Sequence, residues 1–265
     1  MKPYRELTPR HLHTCVARLP KDVRKAAAEY AKIGLPLFIA GGYIRARLTG
    51  QAPSDIDILG PSKEVVEAAA KTVHGGREGS RLHRTQNALT ILCPPRTPVQ
   101  FIHRWTYDDP AKLLGEFDFT IAQAVIWCEI AAPPQGRAAS TKHLKWRSLC
   151  AAAYYEDLAV SELVYTKPER AEDVGGSLLR AFKFTKRGFY ASPETIGRLV
   201  SRLMTGILDR EGRPIEMNLA PSKSMEQFVT AKLREVDPLY VIDGVDLLPE
   251  CYEGGHEDEP PPQER

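Results

Sequence analysis

The sequence predicts an α+β protein: a head built on a mixed β-sheet with helices, followed by a helical neck and C-terminal segment. Three observations carry this expectation. Short runs of strand length fall in the first half: LPLFIAGG (35–42), SDIDILG (54–60), and the pair ALTILC (88–93) and TPVQFIHRW (97–105). Stretches with helical spacing lie before and between them. The later part of the chain reads mainly helical, as in SLLRAFKFTKRGF (177–189).

Taken in order, residues 8–32 are rich in Ala, Lys and Arg and read as helix with a break near Pro20. The apolar run 35–42 is a buried strand stopped by Gly41 and Gly42, and YIRARLTG supplies one or two helical turns ending at Gly50. SDIDILG alternates polar and apolar residues, as a strand with one solvated face does. Residues 62–74 form an amphipathic helix with Ser62 as N-cap. The runs 88–93 and 97–105 pair as a hairpin through the Pro-rich turn at 94–96. DDPAKLLGEF (108–117) is helix-like, and DFTIAQAVIWCEI (118–130) starts like a strand, though its alanines leave the type open.

APPQGRAAS (132–140) reads as a hinge or loop. The helix at 192–210 has Ser192 as N-cap and Pro193 at its first position, and 222–236 is a further capped helix. The acidic, Pro-rich end reads as disordered. The expected division is an N-terminal helical segment (1–33), the head (34–135), a helical neck and C-terminal domain (136–248) and an acidic tail (249–265).

The 265 residues suffice for one large domain or two small ones, and 43% hydrophobic residues suffice for a core. A net charge of +2 announces no nucleic-acid partner by itself, so any basic surface must be local. Five cysteines with no C-x-x-C spacing argue against a disulfide framework and a zinc site. The first residues carry no apolar signal-peptide core, and no apolar run approaches the ~20 residues that span a bilayer. A cytoplasmic protein with no membrane partner is expected.

The chemistry concentrates at Asp55 and Asp57. Two apart on a strand, their side chains leave the same face, where two carboxylates repel unless a cation lies between them. Hard oxygen ligands suit Mg²⁺, which keeps waters and takes phosphate oxygens. Two such ions, about 3.5–4 Å apart, serve attacking and leaving oxygens alike. D-x-D alone also fits a solvated edge strand. Gly41-Gly42, thirteen residues upstream, shifts the balance, because glycines after a buried strand let backbone N–H groups approach a phosphate.

FIAGGYIRARLTGQAPSDIDILG (38–60) resembles the head motif of class II tRNA CCA-adding enzymes and bacterial poly(A) polymerases, within the DNA polymerase beta-like nucleotidyltransferase superfamily. Gly41, Gly42, Arg45, Leu48, Gly50, Asp55 and Asp57 match that motif. EFDFTIAQA (116–124) is similar to the family's R-R-D-F-T-I-N-A segment through Asp118, Phe119, Thr120 and Ile121. EDVGGSLLRAFKFTKRGFYASPET (172–195) resembles the neck segment E-D-x-x-R-x-L-R-A-x-R-F.

The resemblance implies an Mg²⁺-dependent nucleotidyltransferase, with residues 34–135 as its catalytic head. It would move NMP from ATP or CTP to an acceptor hydroxyl, above all an RNA (tRNA-like) 3′ end, releasing pyrophosphate. Asp55 and Asp57 would hold two Mg²⁺ ions. Gly41, Gly42, Arg45 and Ser54 would position the triphosphate, and Asp173 would meet the nucleotide.

The departures matter as much. Glu116-Phe117 replaces the arginine pair, and Ala46 replaces the Asp that follows Arg45. Gln100 stands where the third carboxylate is expected, so either two carboxylates suffice or Asp118 contributes directly. The base-reading arginine of the neck becomes Gly176 or Ser177, depending on alignment, and neither supplies bidentate donors. These losses keep two alternatives open: the same chemistry on a protein, small-molecule or nucleotide acceptor, as toxins and defence enzymes perform, or an inactive RNA- or nucleotide-binding relative.

Arg180, Lys183, Lys186 and Arg187 share a helical face, which reads either as a phosphate-contacting patch or as an ordinary solvated surface. The cluster from Lys142 to Arg147 reads as a nucleic-acid grip or a helix start. His11, His13 and His103 read better as surface or core histidines than as ligands, and Tyr154, Tyr155, Phe182, Phe184 and Phe189 better as core than as base platforms.

Overall fold

The computed structural model describes residues 3–131, 143–166 and 174–205. The chain opens with a short strand β1 (Tyr4–Arg5) and helices α1 (Pro9–Ala17) and α2 (Lys21–Lys32). Strand β2 (Phe38–Ala40) enters α3 (Gly42–Leu48), and β3 (Ile56–Leu59) precedes α4 (Lys63–Gly75). Then follow β4 (Arg81–Arg84), β5 (Ala88–Cys93), β6 (Arg96–Ile102) and α5 (Pro110–Gly115). A 3₁₀ turn (Thr120–Ala122) leads to β7 (Ala124–Ala131), β8 (His143–Ala151), α6 (Tyr154–Ala159) and β9 (Glu162–Leu163). Last come α7 (Val174–Lys186), β10 (Tyr190–Ala191) and α8 (Pro193–Thr205).

Eight strands form one mixed sheet in the order β1-β8-β7-β2-β3-β6-β5-β4, and β9 and β10 make a small parallel pair. The caps follow the sequence reading: the Ser62 hydroxyl accepts from Val65 N at 3.3 Å, and the Ser192 hydroxyl from Thr195 N at 3.3 Å. The expected hairpin is β5 paired antiparallel with β6. The ambiguous stretch 118–130 resolves into a 3₁₀ turn and then a strand.

The described later part is mainly helical, through α6, α7 and α8, but its first segment departs from the expectation. Residues 143–151, including the basic cluster at His143, Lys145, Trp146 and Arg147, are strand β8, paired with β7 from Ala124↔Cys150 to Ala131↔His143. The sheet therefore continues past residue 135. The N-terminal segment adds β1 to this sheet, through Tyr4↔Ala151 and Arg5↔Cys150. The stretch 132–140, the helix at 222–236 and the tail at 249–265 lie outside the described residues, and so does Asp173.

Strand alternation separates two apolar layers. Ile39, Ile56, Ile58, Val99, Phe101 and Ile126 pack in one cluster with residues of α1 to α4. Phe38, Ala40, Leu59 and Val125 face the other way and pack with Leu113 and Leu114 of α5. Asp57 and Gln100 alternate with the first set, so they belong to the α5 face of the sheet. A third cluster ties the neck to the head: Phe119 and Ile121 pack with Ala181 and Phe184 of α7 and Leu199 of α8. The Phe119 and Phe184 rings meet edge-on at 5.6 Å.

Candidate active site

The site begins where β2 ends. Gly41 adopts φ 69°, ψ −128°, a conformation that L side chains rarely tolerate, and its N–H donates to Ala124 O at 3.0 Å. The turn is close-packed on the cleft side: a Cβ at Gly41 would stand 3.4 Å from Phe117 Cε1 and 3.8 Å from Asp57 Oδ2. These are ordinary contacts, so glycine here serves the backbone conformation above all. Gly42 opens α3, whose first N–H groups have no acceptor within the helix.

Asp57 lies within β3, and Asp55 one residue before it. Both line a single cleft with Gly41, Gly42, Arg45 and Ser54. The Ser54 hydroxyl donates to Asp55 Oδ1 at 3.0 Å. Burial raises the Asp57 carboxyl well above the usual range, and the Asp55 charge adds to the effect; Lys183 and Arg45 pull the other way without cancelling it. Two carboxylates thus meet in a desolvated corner of the cleft. That arrangement fits a hard divalent cation, whose remaining positions water and phosphate oxygens fill. Among the described residues no group of three His, Cys, Asp or Glu side chains is placed to hold a metal. Asp55 and Asp57 are the residues that could hold such a cation here.

Gln100 pairs in register with Asp57 across parallel strands β3 and β6, and it lines the cleft. The side chain next to Asp57 on the neighbouring strand is thus a neutral amide. Asp118, the other candidate, is 4% exposed and its Oδ2 accepts from Arg180 Nε at 2.5 Å. Its backbone carbonyl accepts from Thr166 N at 2.9 Å. Asp118 lines the cleft, but its carboxylate is engaged in fixing α7 to the head.

The opposite lip is cationic. Arg45, 5% exposed, places its guanidinium 4.7 Å from the centre of the Phe184 ring. Burial lowers the Arg45 pKa to about 10, with Arg187 contributing. Burial likewise lowers Lys183 to about 8, again with help from Arg187. Arg180, Lys183 and Arg187 of the predicted basic face all line the cleft, whereas Lys186 does not. Cations that depress one another while desolvated favour an incoming polyanion.

Several lining residues escape the sequence reading: Asn87, Trp105, Tyr107, Glu116 and Phe117. The last two are visible only as departures from the family motif. His103 takes no part; its side chain is 3% exposed and its Nε2 lies 3.9 Å from Glu67 Oε1 on α4. His11 Nδ1 meets the Tyr155 hydroxyl at 2.9 Å. Tyr154, Phe184 and Phe189 are buried, whereas Phe182 is exposed.

The Thermotoga maritima CCA-adding enzyme complexed with tRNA superposes with a TM-score of 0.51 at 19% identity, covering 91% of this chain and 53% of that one. The fold is that of the CCA-adding enzymes. Structures of CCA-adding enzyme with CTP and with ATP give TM-scores of 0.52 and 0.50, at 19% and 18% identity, with the same coverage of both chains. The chain thus spans about half the length of these structures. Residues 13–131, a little under half of the chain, match the model of the Gad2 family, described as Gabija anti-defense 2 family protein. A comparison with curated proteins gives no match. No helix among the described residues is long and apolar enough to cross a membrane.

Proposed function

We propose that this chain is an Mg²⁺-dependent nucleotidyltransferase that moves NMP from ATP or CTP to an acceptor hydroxyl, the 3′ end of a tRNA-like RNA, and releases pyrophosphate. One observation carries the reading: a glycine turn, a pair of carboxylates and a cationic lip converge on one cleft. The fold shared with CCA-adding enzymes supports it.

In this reading Asp55 and Asp57 would hold the Mg²⁺, one ion or two, with phosphate oxygens and waters as further ligands. Bound Mg²⁺ supplies positive charge at the α-phosphate and lowers the pKa of the attacking hydroxyl. The chain's own residues do the rest. Gly41 and Gly42 admit the phosphates close to the backbone, and Ser54 orients Asp55. Arg45, Lys183 and Arg187 neutralise the triphosphate and the departing pyrophosphate. Asp118 is a positioning residue: it holds Arg180, and so α7, across the cleft. Asp173 stays a candidate for contact with the nucleotide.

A second reading has its own support. The Gad2 match and the absence of a base-reading arginine at Gly176 and Ser177 favour transfer to a protein, small-molecule or nucleotide acceptor, in a role directed against a defence system. The test for both is incubation with each α-labelled NTP, Mg²⁺, tRNA and cell extract. Label on RNA that vanishes in Asp57→Asn supports the first reading. Label on protein or a small molecule selects the second, and no label anywhere refutes both.

A further inference from the structure

The cleft has two walls of unlike chemistry. The cations Arg45, Lys183 and Arg187 lie on the side of α3 and α7. Beyond Asp57 the sheet runs away from them, first to Gln100 on β6 and then to β5, where Ala88 pairs with Ile102. This second wall is lined by Asn87, Gln100, Ile102, Trp105 and Tyr107, with no charged side chain among them. Its aromatic segment is pinned at both ends: His103 N and Arg104 N donate to Asn87 O at 3.0 and 3.1 Å, and Tyr107 N donates to Gly60 O at 2.8 Å. Trp105 and Tyr107 are each half-buried.

Phosphoryl-type transfer places the attacking and leaving oxygens roughly in line through the phosphorus. If pyrophosphate departs toward the cations, the acceptor must approach from the neutral wall. We propose that Trp105 and Tyr107 form the acceptor platform, on which the terminal nucleoside of the acceptor stacks while the Asn87 and Gln100 amides bond its polar edge or ribose. This rests on the transferase reading above. The acceptor's ribose hydroxyl oxygen bonds to the α-phosphorus, the bond from that phosphorus to the bridging oxygen breaks, pyrophosphate leaves, and the hydroxyl proton passes to water. An aromatic face suits any base. The exposed Arg104 guanidinium covers one face of the Trp105 ring, 4.8 Å from its centre, so the nucleoside would stack by displacing it or on the opposite face, and Arg104 would then meet a phosphate that precedes the terminal nucleoside.

The test uses the full chain with the dinucleoside monophosphate CpC and with a tRNA ending in CC, compared across wild type, Trp105→Ala and Trp105→Phe. Affinity for CpC is read by saturation-transfer NMR, ATP affinity by calorimetry, and transfer with labelled ATP. Trp105→Ala is expected to weaken CpC about tenfold to a hundredfold, the range for one stacked base, and to raise the acceptor KM alike. ATP affinity should stay within about twofold, and Trp105→Phe should recover most of the loss. A tRNA that binds much more tightly than CpC marks an RNA end as the source of the nucleoside, and equal affinities mark a free nucleotide; either supports the platform. Unchanged CpC affinity in Trp105→Ala, or an equal loss of ATP affinity, overturns it. Transfer by wild type to a protein side chain with no CpC binding also overturns the platform yet leaves the transferase reading standing. No ATP binding and no transfer at all removes that reading itself.

Discussion

Replacing Gly41 with alanine separates backbone strain from crowding in a way the geometry makes quantitative. At φ 69°, ψ −128° the position lies where non-glycine residues pay about 1–3 kcal/mol. The added Cβ would sit 3.4 Å from Phe117 Cε1 and 3.8 Å from Asp57 Oδ2, ordinary van der Waals contacts that add little. Strain should therefore dominate, and Gly41→Ala should lose about 1–3 kcal/mol in urea unfolding with the slope unchanged. Removing the Phe117 ring as well should not restore that loss; the coupling in the double-mutant cycle should stay under about 0.5 kcal/mol. Because the turn abuts Asp57, a relaxation of about 1 Å should also lower transfer about a hundredfold. A loss below about 0.5 kcal/mol, or full rescue by Phe117→Ala, would refute the assignment of strain to this turn.

Other perturbations follow from the same contacts. Arg180→Ala leaves Asp118 buried without its partner and should cost about 2–4 kcal/mol in unfolding free energy, with the neck helix α7 becoming more accessible to protease. Asp22 in α2 pairs with the buried Arg77 that follows α4; burial alone would raise its pKa, but the Arg77 hydrogen bond and charge hold it below the usual value. Stability from this pair is thus present above the unfolded carboxyl value and lost as pH falls through the folded one. Asp22→Asn should cost about 2–3 kcal/mol near neutral pH, a difference that shrinks below about pH 4 in acid titrations followed by circular dichroism. Gln100→Asp places a third carboxylate beside Asp57; it should tighten Mn²⁺ binding at least about tenfold by EPR titration while lowering metal-free stability.

What the sequence reveals and what it conceals divide along chain distance. The Gly41-Gly42 turn, Arg45, Asp55 and Asp57 lie within seventeen residues and follow from local rules: glycine where backbone must be free, acids two apart on one strand face. Strand β8 does not follow from such rules. Its Lys and Arg residues look like a helix or a grip, and only pairing with β7 along its whole length makes it a strand. The turn at Thr120–Ala122 is likewise fixed from afar, by Thr120 bonding Asp157 and by Gln123 Nε2 donating to Leu114 O at 2.8 Å. The aromatic wall at Trp105 and Tyr107 depends on the register of β5 against β6, which no local pattern specifies. The one available signal is the pair of aromatics directly after the strand that carries Gln100.

Asp55 and Asp57 should accept a triphosphate only with a divalent cation between them. The most direct measurement is calorimetric affinity for a non-hydrolysable NTP analogue, with Mg²⁺ and with EDTA, in wild type and Asp57→Asn. Wild type should bind at least about tenfold more tightly with Mg²⁺, whereas Asp57→Asn should change less than about twofold and, in EDTA, bind at least as well as wild type because a repelling charge is gone. Equal affinities in wild type with and without Mg²⁺, or an undiminished Mg²⁺ effect in Asp57→Asn, would contradict the account.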